Sequence, residues 1–406
     1  MGNLVREATL ERTGEGVNGK GGGAMSRFVI GGAIVIVLMF VLSPPSAFAA
    51  DQTYAGVNDP VGGTGTVYGV NGTSWSDTGL SAINEIYSLA LDRPNNTLYA
   101  SGTNSSGQGL VYKFNTATSS WTPISPSGGM ALASAYSVIK TSSGDLYTAG
   151  WKSNGTGYVY KYGLSGWDDT FLPNVKNAGV FAEDSAGNLY VAGKDATGTY
   201  GVVSKYNGAW SSMSLTQNVF GEIYGLAVDS ADNLYVGGSD SSLMNGLVYK
   251  LDGTWDTTGL TGYAGVFSLV ADTAGSIYAG GQTDMGEGGV SKYTGGTWSD
   301  MAVSDGSSNN TAWIETVTMD TNGNLYASGE DYTGAPTLYK YGTQWSDMNA
   351  PGSSGEVFGL TTGYSPLGPV TGVPEPSSMA VSGLAIGLLG LMRRLKKARK
   401  RSPTAL

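Results

Sequence analysis

One pattern returns along most of this chain, and it limits the fold more than any other feature. An apolar strand-like run is followed by a tight turn of the form Asp-x-x-Gly-Asn, then Leu-Tyr-Val-Ala-Gly, a Gly-rich loop, Val-Tyr-Lys-Tyr, a short turn and Trp. The clearest copy is GEIYGLAVDSADNLYVGG (221–238) with GLVYKLDGTW (246–255). The tyrosine recurs at Tyr54, Tyr99, Tyr147, Tyr190, Tyr235, Tyr278 and Tyr326. The tryptophan recurs at Trp75, Trp121, Trp167, Trp210, Trp255, Trp298 and Trp345, on average every 45 residues, and takes seven of the nine tryptophans. A unit of this length with four strand-like segments is a propeller blade, which buries its faces only by stacking on its neighbours. Composition agrees: with 64 Gly and many Ser, Thr, Asn and Tyr, the chain favours strands and turns over helices.

The count closes on seven. Six copies are complete, and the first, TYAGVNDPVGGTGTVYGVNGTSW, lacks its opening strand. Beyond the last Trp there is one lone opening strand, Glu356 to Leu360. Pairing it with the first copy completes a blade and hides two sheet edges that would otherwise template aggregation. The sequence therefore predicts an all-β fold, a seven-bladed β-propeller of four-stranded blades over 50–366, closed by a C-terminal strand; six and eight blades are the alternative counts.

Most repeat positions read as scaffold. Asp184, Asp229, Asp272 and Asp320 stand six residues before the repeat Tyr, where a short acceptor side chain can bond the backbone N–H groups of a turn. Gly150, Gly193, Gly238, Gly281 and Gly329 are read as points where adjacent sheets approach closely. Lys113, Lys161, Lys205, Lys250, Lys292 and Lys340 recur in the third strand. Leu-Tyr-Val-Gly-Gly at 234–238 with the following Tyr-Lys and Trp255 resembles the kelch blade, and Asp-x-x-Gly-Asn-Leu-Tyr at 184–190 is similar to the NHL blade. The kelch glycine doublet appears only at Gly237-Gly238 and Gly280-Gly281, and the distance from Tyr to Trp is short and variable. The resemblance implies the fold and no catalytic residue, since such folds host many functions.

Both ends carry addresses rather than fold. Residues 25–49 read as a signal peptide with a helical apolar core: Arg27, the apolar run Phe28 to Leu42, then Ala47-Phe48-Ala49, an A-x-A site for signal peptidase that places the cut after Ala49. Residues 1–24 carry Glu7, Glu11 and Glu15, which oppose a positive leader, so Met25 reads as the start and 1–24 as a mis-assigned or disordered extension. At the other end a linker (367–378) holds Pro374, Glu375 and Pro376. An apolar stretch, 379–392, follows, and then a basic tail (393–406) with Arg393, Arg394, Lys396, Lys397, Arg399, Lys400 and Arg401. As a helix the stretch spans about 21 Å, short of the ~30 Å hydrocarbon core, and the basic cluster stops transfer on the cytoplasmic side. Motif, transmembrane helix and basic tail, in that order, resemble the PEP-CTERM sorting signal. The resemblance implies export in a Gram-negative-type bacterium, a transient stay in the inner membrane, and removal of the tail by an exosortase-type membrane protease before the protein reaches the cell surface.

The chain has no His and no Cys, which excludes His general bases, thiol nucleophiles, thiolate or imidazole metal sites and disulfides. Residues 51–376 hold 11 basic and 29 acidic residues, a net charge of −18, so nucleic acid is not an expected partner. The loops that open the innermost strands of a propeller meet at one channel mouth. Aligned on the turn aspartates, they place Glu85, Ser134, Asn177, Glu222, Gly265, Trp313 and Glu356 at one register, with Tyr87 adding aromatic surface. Such a rim suits a sugar, or Ca2+ with its six to eight or so oxygen ligands; no other cofactor is expected. The sequence thus points to a non-catalytic surface or matrix propeller tied to exopolysaccharide or biofilm, with extracellular polysaccharide as partner. The alternatives are a carbohydrate-active enzyme using rim carboxylates and a lectin-like or Ca2+-binding module.

Overall fold

The computed structural model describes residues 28–30, 33–35, 53–59, 63–215, 219–303 and 311–362. Its main body is a ring of seven four-stranded antiparallel sheets. In blades 2 to 7 the chain runs outward from the axis, strand by strand, and then returns to the axis to begin the next blade. Blade 5 shows the plan: Phe220–Val228 innermost, then Leu234–Asp240, Gly246–Leu251 and Trp255–Thr257 outermost. Blade 1 differs as expected. Its innermost strand is Glu356–Thr362, paired antiparallel with Thr53–Asp59 in the register Thr53↔Thr362 to Asn58↔Glu356. The closing strand runs two residues beyond the expected Leu360. The innermost strands all start at one face of the ring, here the upper face; turns between first and second strands lie on the lower face.

No single core holds the ring. Buried residues fall into seven clusters, each between two neighbouring blades, and an eighth on the axis. The second strands show why. Leu234 and Val236 of blade 5 point to blade 4, while Tyr235 between them points to blade 6. A strand buried on both faces reads as continuously apolar, and a slip of one residue would send each side chain to the wrong neighbour. At roughly 1.5–3 kcal/mol for each fully buried large apolar side chain, these seven wedges supply most of the cohesion.

The repeat tryptophan has a task that reaches beyond its own blade. Its indole N–H donates to the linker of the preceding blade: Trp121 to the Thr78 carbonyl (3.1 Å), Trp167 to the Ile124 carbonyl, Trp210 to the Thr170 hydroxyl (3.0 Å), Trp298 to the Thr258 hydroxyl (3.1 Å) and Trp345 to the Met301 carbonyl (2.9 Å). Trp75 of blade 1 donates to the Met348 carbonyl of blade 7 at 2.8 Å, so the same bond crosses the closure.

The turn aspartates act as the sequence predicts. Asp184 accepts from the backbone N–H groups of Ala186 and Asn188 and from the Tyr190 hydroxyl, and Lys205 joins it at 3.3 Å. Burial works to raise the Asp184 pKa, but these bonds outweigh it and hold the carboxyl below its usual range. Asp229, Asp272 and Asp320 accept from their own turns and tyrosines in the same way. Lys161, Lys205, Lys250, Lys292 and Lys340 sit over the repeat tyrosine rings at 5.0–6.0 Å, a cation–π arrangement fixed by direct cross-strand pairing.

The reading of the second-strand glycines needs correction. A Cβ on Gly150, Gly238, Gly281 or Gly329 would meet the carbonyl oxygen of its own blade's innermost strand at 1.9–2.1 Å, and one on Gly193 would meet the Lys176 carbonyl at 2.7 Å. They accommodate an irregular step in that strand, where the register shifts beside each of them. Close approach between sheets falls instead at the first glycines of the doublets, Gly237 and Gly280, and at the glycines that open third strands. A Cβ on Gly109, Gly201 or Gly246 would lie within 2.6–2.7 Å of the next blade.

The apolar leader, expected as a helix, is described at six residues only. There Phe28–Ile30 pairs with Ala33–Val35 in a hairpin that belongs to a unit separate from the ring. Valine and isoleucine pair readily as strands. The remainder of the leader, its cleavage site, the sorting motif, the C-terminal apolar stretch and the basic cluster lie outside the described residues. Among the described residues no helix is long and apolar enough to cross a membrane.

A chain ending at Gly355 should lose its single cooperative unfolding transition and aggregate, because Thr53–Asp59 becomes an open edge. A chain ending at Thr362 should unfold like the parent, and Trp75→Phe, which removes one hydrogen bond across the closure, should cost only about 1 kcal/mol. Denaturant unfolding and light scattering separate the three.

Candidate functional site

The aligned residues do occupy one register. Glu85, Ser134, Glu222, Gly265, Trp313 and Glu356 pair with Thr103, Trp151, Ser239, Gln282, Glu330 and Asn58 of the second strands, and Asn177 stands between Lys176, which pairs with Lys194, and the step in its strand. All open onto the upper mouth of the channel. Their exposure differs: Ser134, Glu222 and Glu356 are buried, whereas Glu85 is exposed and Trp313 half-buried. Asn177 has a positive φ of 48°, a strain that asparagine tolerates better than most residues.

Two residues further along each innermost strand the channel is filled with rings. Tyr87, Tyr136, Tyr224, Phe267 and Phe358 form one buried cluster, with Trp151 and Trp313 packed against it. The corresponding residues of blades 4 and 7 are Gly179 and Glu315. Tyr87 stacks on Tyr136 at 4.6 Å, Tyr136 lies 4.0 Å from Trp151, and Tyr224 meets Phe267 edge-on at 5.7 Å. A Cβ on Gly179 would be 3.9 Å from the Tyr136 ring, an ordinary contact distance, so Tyr136 borders the place where blade 4 offers no side chain. The two tryptophans outside the repeat slot, Trp151 and Trp313, therefore both stand at this mouth.

The polar groups are wired to one another. Tyr87 donates its hydroxyl to Glu85, and Thr103 donates to Tyr87 at 3.1 Å. Burial first, and then the Glu85 charge, raise the Tyr87 pKa; burial likewise raises those of Tyr136 and Tyr224, helped by nearby carboxylates that include Glu222. These phenols are neutral donors at physiological pH. Glu222, buried at the mouth, is held by Lys194 of blade 4 at 2.5 Å, both side chains largely enclosed. Lys152 lies 4.0 Å over the Tyr158 ring and donates to the Gly129 carbonyl.

Glu222 is committed to an ion pair and Glu85 to a phenol. Among the described residues no three Asp or Glu side chains gather into a group that could hold a metal ion. The sequence alignment missed Lys194, because a lysine in a strand does not announce a partner on the next blade. It also passed over Trp151, although that residue carried the same signal as Trp313: both are tryptophans outside the 45-residue register.

Burial raises the Glu222 pKa, and the hydrogen bond and charge of Lys194 oppose that rise. Lys194→Met should therefore leave a buried, uncompensated carboxylate and destabilise the ring by about 3–5 kcal/mol at pH 7. With its folded pKa raised above the unfolded value, Glu222 then binds a proton more readily in the folded chain. Stability falls as pH rises through that window and returns on acidification toward the ordinary carboxylate value of 4.5. Adding Glu222→Gln should restore most of the loss at pH 7. Unfolding midpoints of single and double variants at pH 7 and pH 4.5 check both points.

Comparison with known proteins sharpens the two ends of this description. The PEP-CTERM protein-sorting motif matches residues 372–397, so the C-terminal address is established as such. No curated protein matches the chain. Among solved structures, a protein provisionally described as a 6-phosphogluconolactonase from Bacteroides uniformis is similar over 77% of this chain and 99% of its own, at 12% identity and a TM-score of 0.54. Its counterpart from Bacteroides fragilis, described in the same terms, is similar over 79% and 100%, at 11% identity and a TM-score of 0.55. The fucose-specific lectin of Aleuria aurantia is similar over 68% and 96%, at 13% identity and a TM-score of 0.46. At these identities the first two likenesses concern the fold alone, and the third carries no argument.

Proposed function

We propose that this exported, PEP-CTERM-bearing propeller is a non-catalytic surface or matrix protein that holds extracellular polysaccharide at the upper mouth of its channel. The observation that carries the reading is the placement of the two tryptophans that the scaffold does not use. Trp151 and Trp313 are half-buried on blades 3 and 7, and they flank a mouth rich in neutral hydroxyl donors. Half-exposed indoles offer flat apolar surface to the C–H face of a sugar ring, while hydroxyls and carboxylates fix its orientation. The net charge of the mature chain favours a neutral glycan over an anionic one.

A carbohydrate-active enzyme at the same mouth is the second reading, with Glu85 and Glu356 on neighbouring blades as the acid pair. It needs one carboxyl kept as an acid and a second free to act as base or nucleophile. The engagement of Glu85 by Tyr87 and of Glu222 by Lys194 favours binding over turnover. A glycan array with and without Ca2+ should show binding to neutral polysaccharide. Trp151→Ala or Trp313→Ala should weaken it by about tenfold, the worth of one lost stacking contact. Release of new reducing ends, abolished by Glu85→Gln or Glu356→Gln, supports the enzyme instead.

Processing follows from the sorting motif. Proline restricts its own backbone and that of the residue before it, which suits the sequence Pro374-Glu375-Pro376 to recognition in a protease cleft. Signal peptidase removes the leader after Ala49, and an exosortase-type protease removes the tail. Glu375→Ala should leave export intact and accumulate a membrane-bound form heavier by the tail. Intact masses of membrane and extracellular fractions decide this; parent chain found only in membranes with residues 393–406 attached supports a permanent anchor.

A further inference from the structure

The ring has a polarity that bears on how the chain stands at a membrane. Each innermost strand runs from the upper face to the lower one, so Thr362, the end of blade 1's innermost strand, lies on the lower face. Its neighbour Thr53–Asp59 runs the other way and begins there, and Thr53 pairs directly with Thr362. Chain enters and leaves the ring side by side at the lower face. The aromatic mouth with Tyr87, Tyr136, Trp151 and Trp313 opens at the opposite end.

Both membrane-directed segments connect through this one point. Only residues 50–52 separate the expected leader cut from Thr53, and residues 363–378 separate Thr362 from the C-terminal apolar stretch. Sixteen residues span at most about 55 Å even fully extended.

We propose that, until the tail is removed, the propeller hangs from the membrane by its lower face and presents the aromatic mouth away from the bilayer. This rests on the reading that the PEP-CTERM tail holds the chain in the membrane before processing. Polysaccharide outside the membrane then meets the mouth unobstructed while the protein is still anchored. Capture of a glycan and release of the tail occupy opposite ends of the molecule and do not compete.

The chain has no cysteine, so single labels are straightforward. In a Glu375→Ala background, Ser105→Cys and Met285→Cys place a fluorophore on exposed upper loops, and Ala117→Cys and Ala274→Cys place one on exposed lower turns. The full chain is reconstituted in vesicles of phosphatidylethanolamine and phosphatidylglycerol with an energy acceptor on the headgroups. Strong transfer from the two lower labels, largely lost from the two upper ones, is the expected result. Equal transfer from both faces, or stronger transfer from the upper face, overturns the proposal. A second chain, with residues 379–406 replaced by an unrelated transmembrane helix, keeps the same point of suspension. If only that chain stays on vesicles and shows the lower-face bias, the polarity stands and the reading of the native tail fails.

Discussion

The pairing of Thr53–Asp59 with Glu356–Thr362 joins residues about three hundred positions apart, and every other contact in the ring presumes it. A propeller blade has two apolar faces and no core of its own. Each blade is stable only between two neighbours, so an open row of seven would leave two faces and two strand edges in water. The closing strand removes both liabilities together. The bond from Trp75 to Met348 shows that the interface across the closure is built like the others, with the same indole donating to the same kind of linker acceptor.

Inside that closed ring, scaffold and candidate site are separated by register. The repeated residues do structural work: aspartates pin lower turns, lysines lie over tyrosines, glycines clear room for irregular steps, and tryptophans join blade to blade. The residues that differ from blade to blade cluster at the upper mouth. Glu85, Ser134, Asn177, Glu222, Gly265, Trp313 and Glu356 share one position and little chemistry. Apart from Glu222, which is tied to Lys194 of blade 4, and Gly265, where a Cβ would meet the Phe267 ring at 2.7 Å, these side chains stand outside the seven apolar wedges, which is how a uniform framework comes to carry an individual surface.

The same division explains what could be read from the residues alone. The blade count, the closing strand, the turn aspartates and the rim register were legible because each is periodic, and periodicity survives without coordinates. The glycines were found but misassigned: sequence shows that Gly238 must lack a side chain, not that the obstacle is the Glu222 carbonyl of its own blade. The Lys194–Glu222 pair and the position of Tyr136 beside Gly179 were not legible. Each depends on a partner on another blade, at a separation that the repeat does not encode. The sorting motif, by contrast, was legible because its whole pattern, Pro-Glu-Pro then an apolar stretch then a basic cluster, is an order of segments in the sequence itself.

The directions of the closing strands have a mechanical side. A pull on the chain beyond Thr362, against a hold at the upper mouth, would act along the axis of Glu356–Thr362 and draw that strand out through the lower face. Its hydrogen bonds to Thr53–Asp59 lie across this direction, so the ladder is stressed in shear and its bonds share the load. A force separating the two chain ends sideways would instead open the same ladder from Thr362 upward, one pair at a time. A tether through the C-terminal side of Thr362 alone would load the ring along its stronger axis.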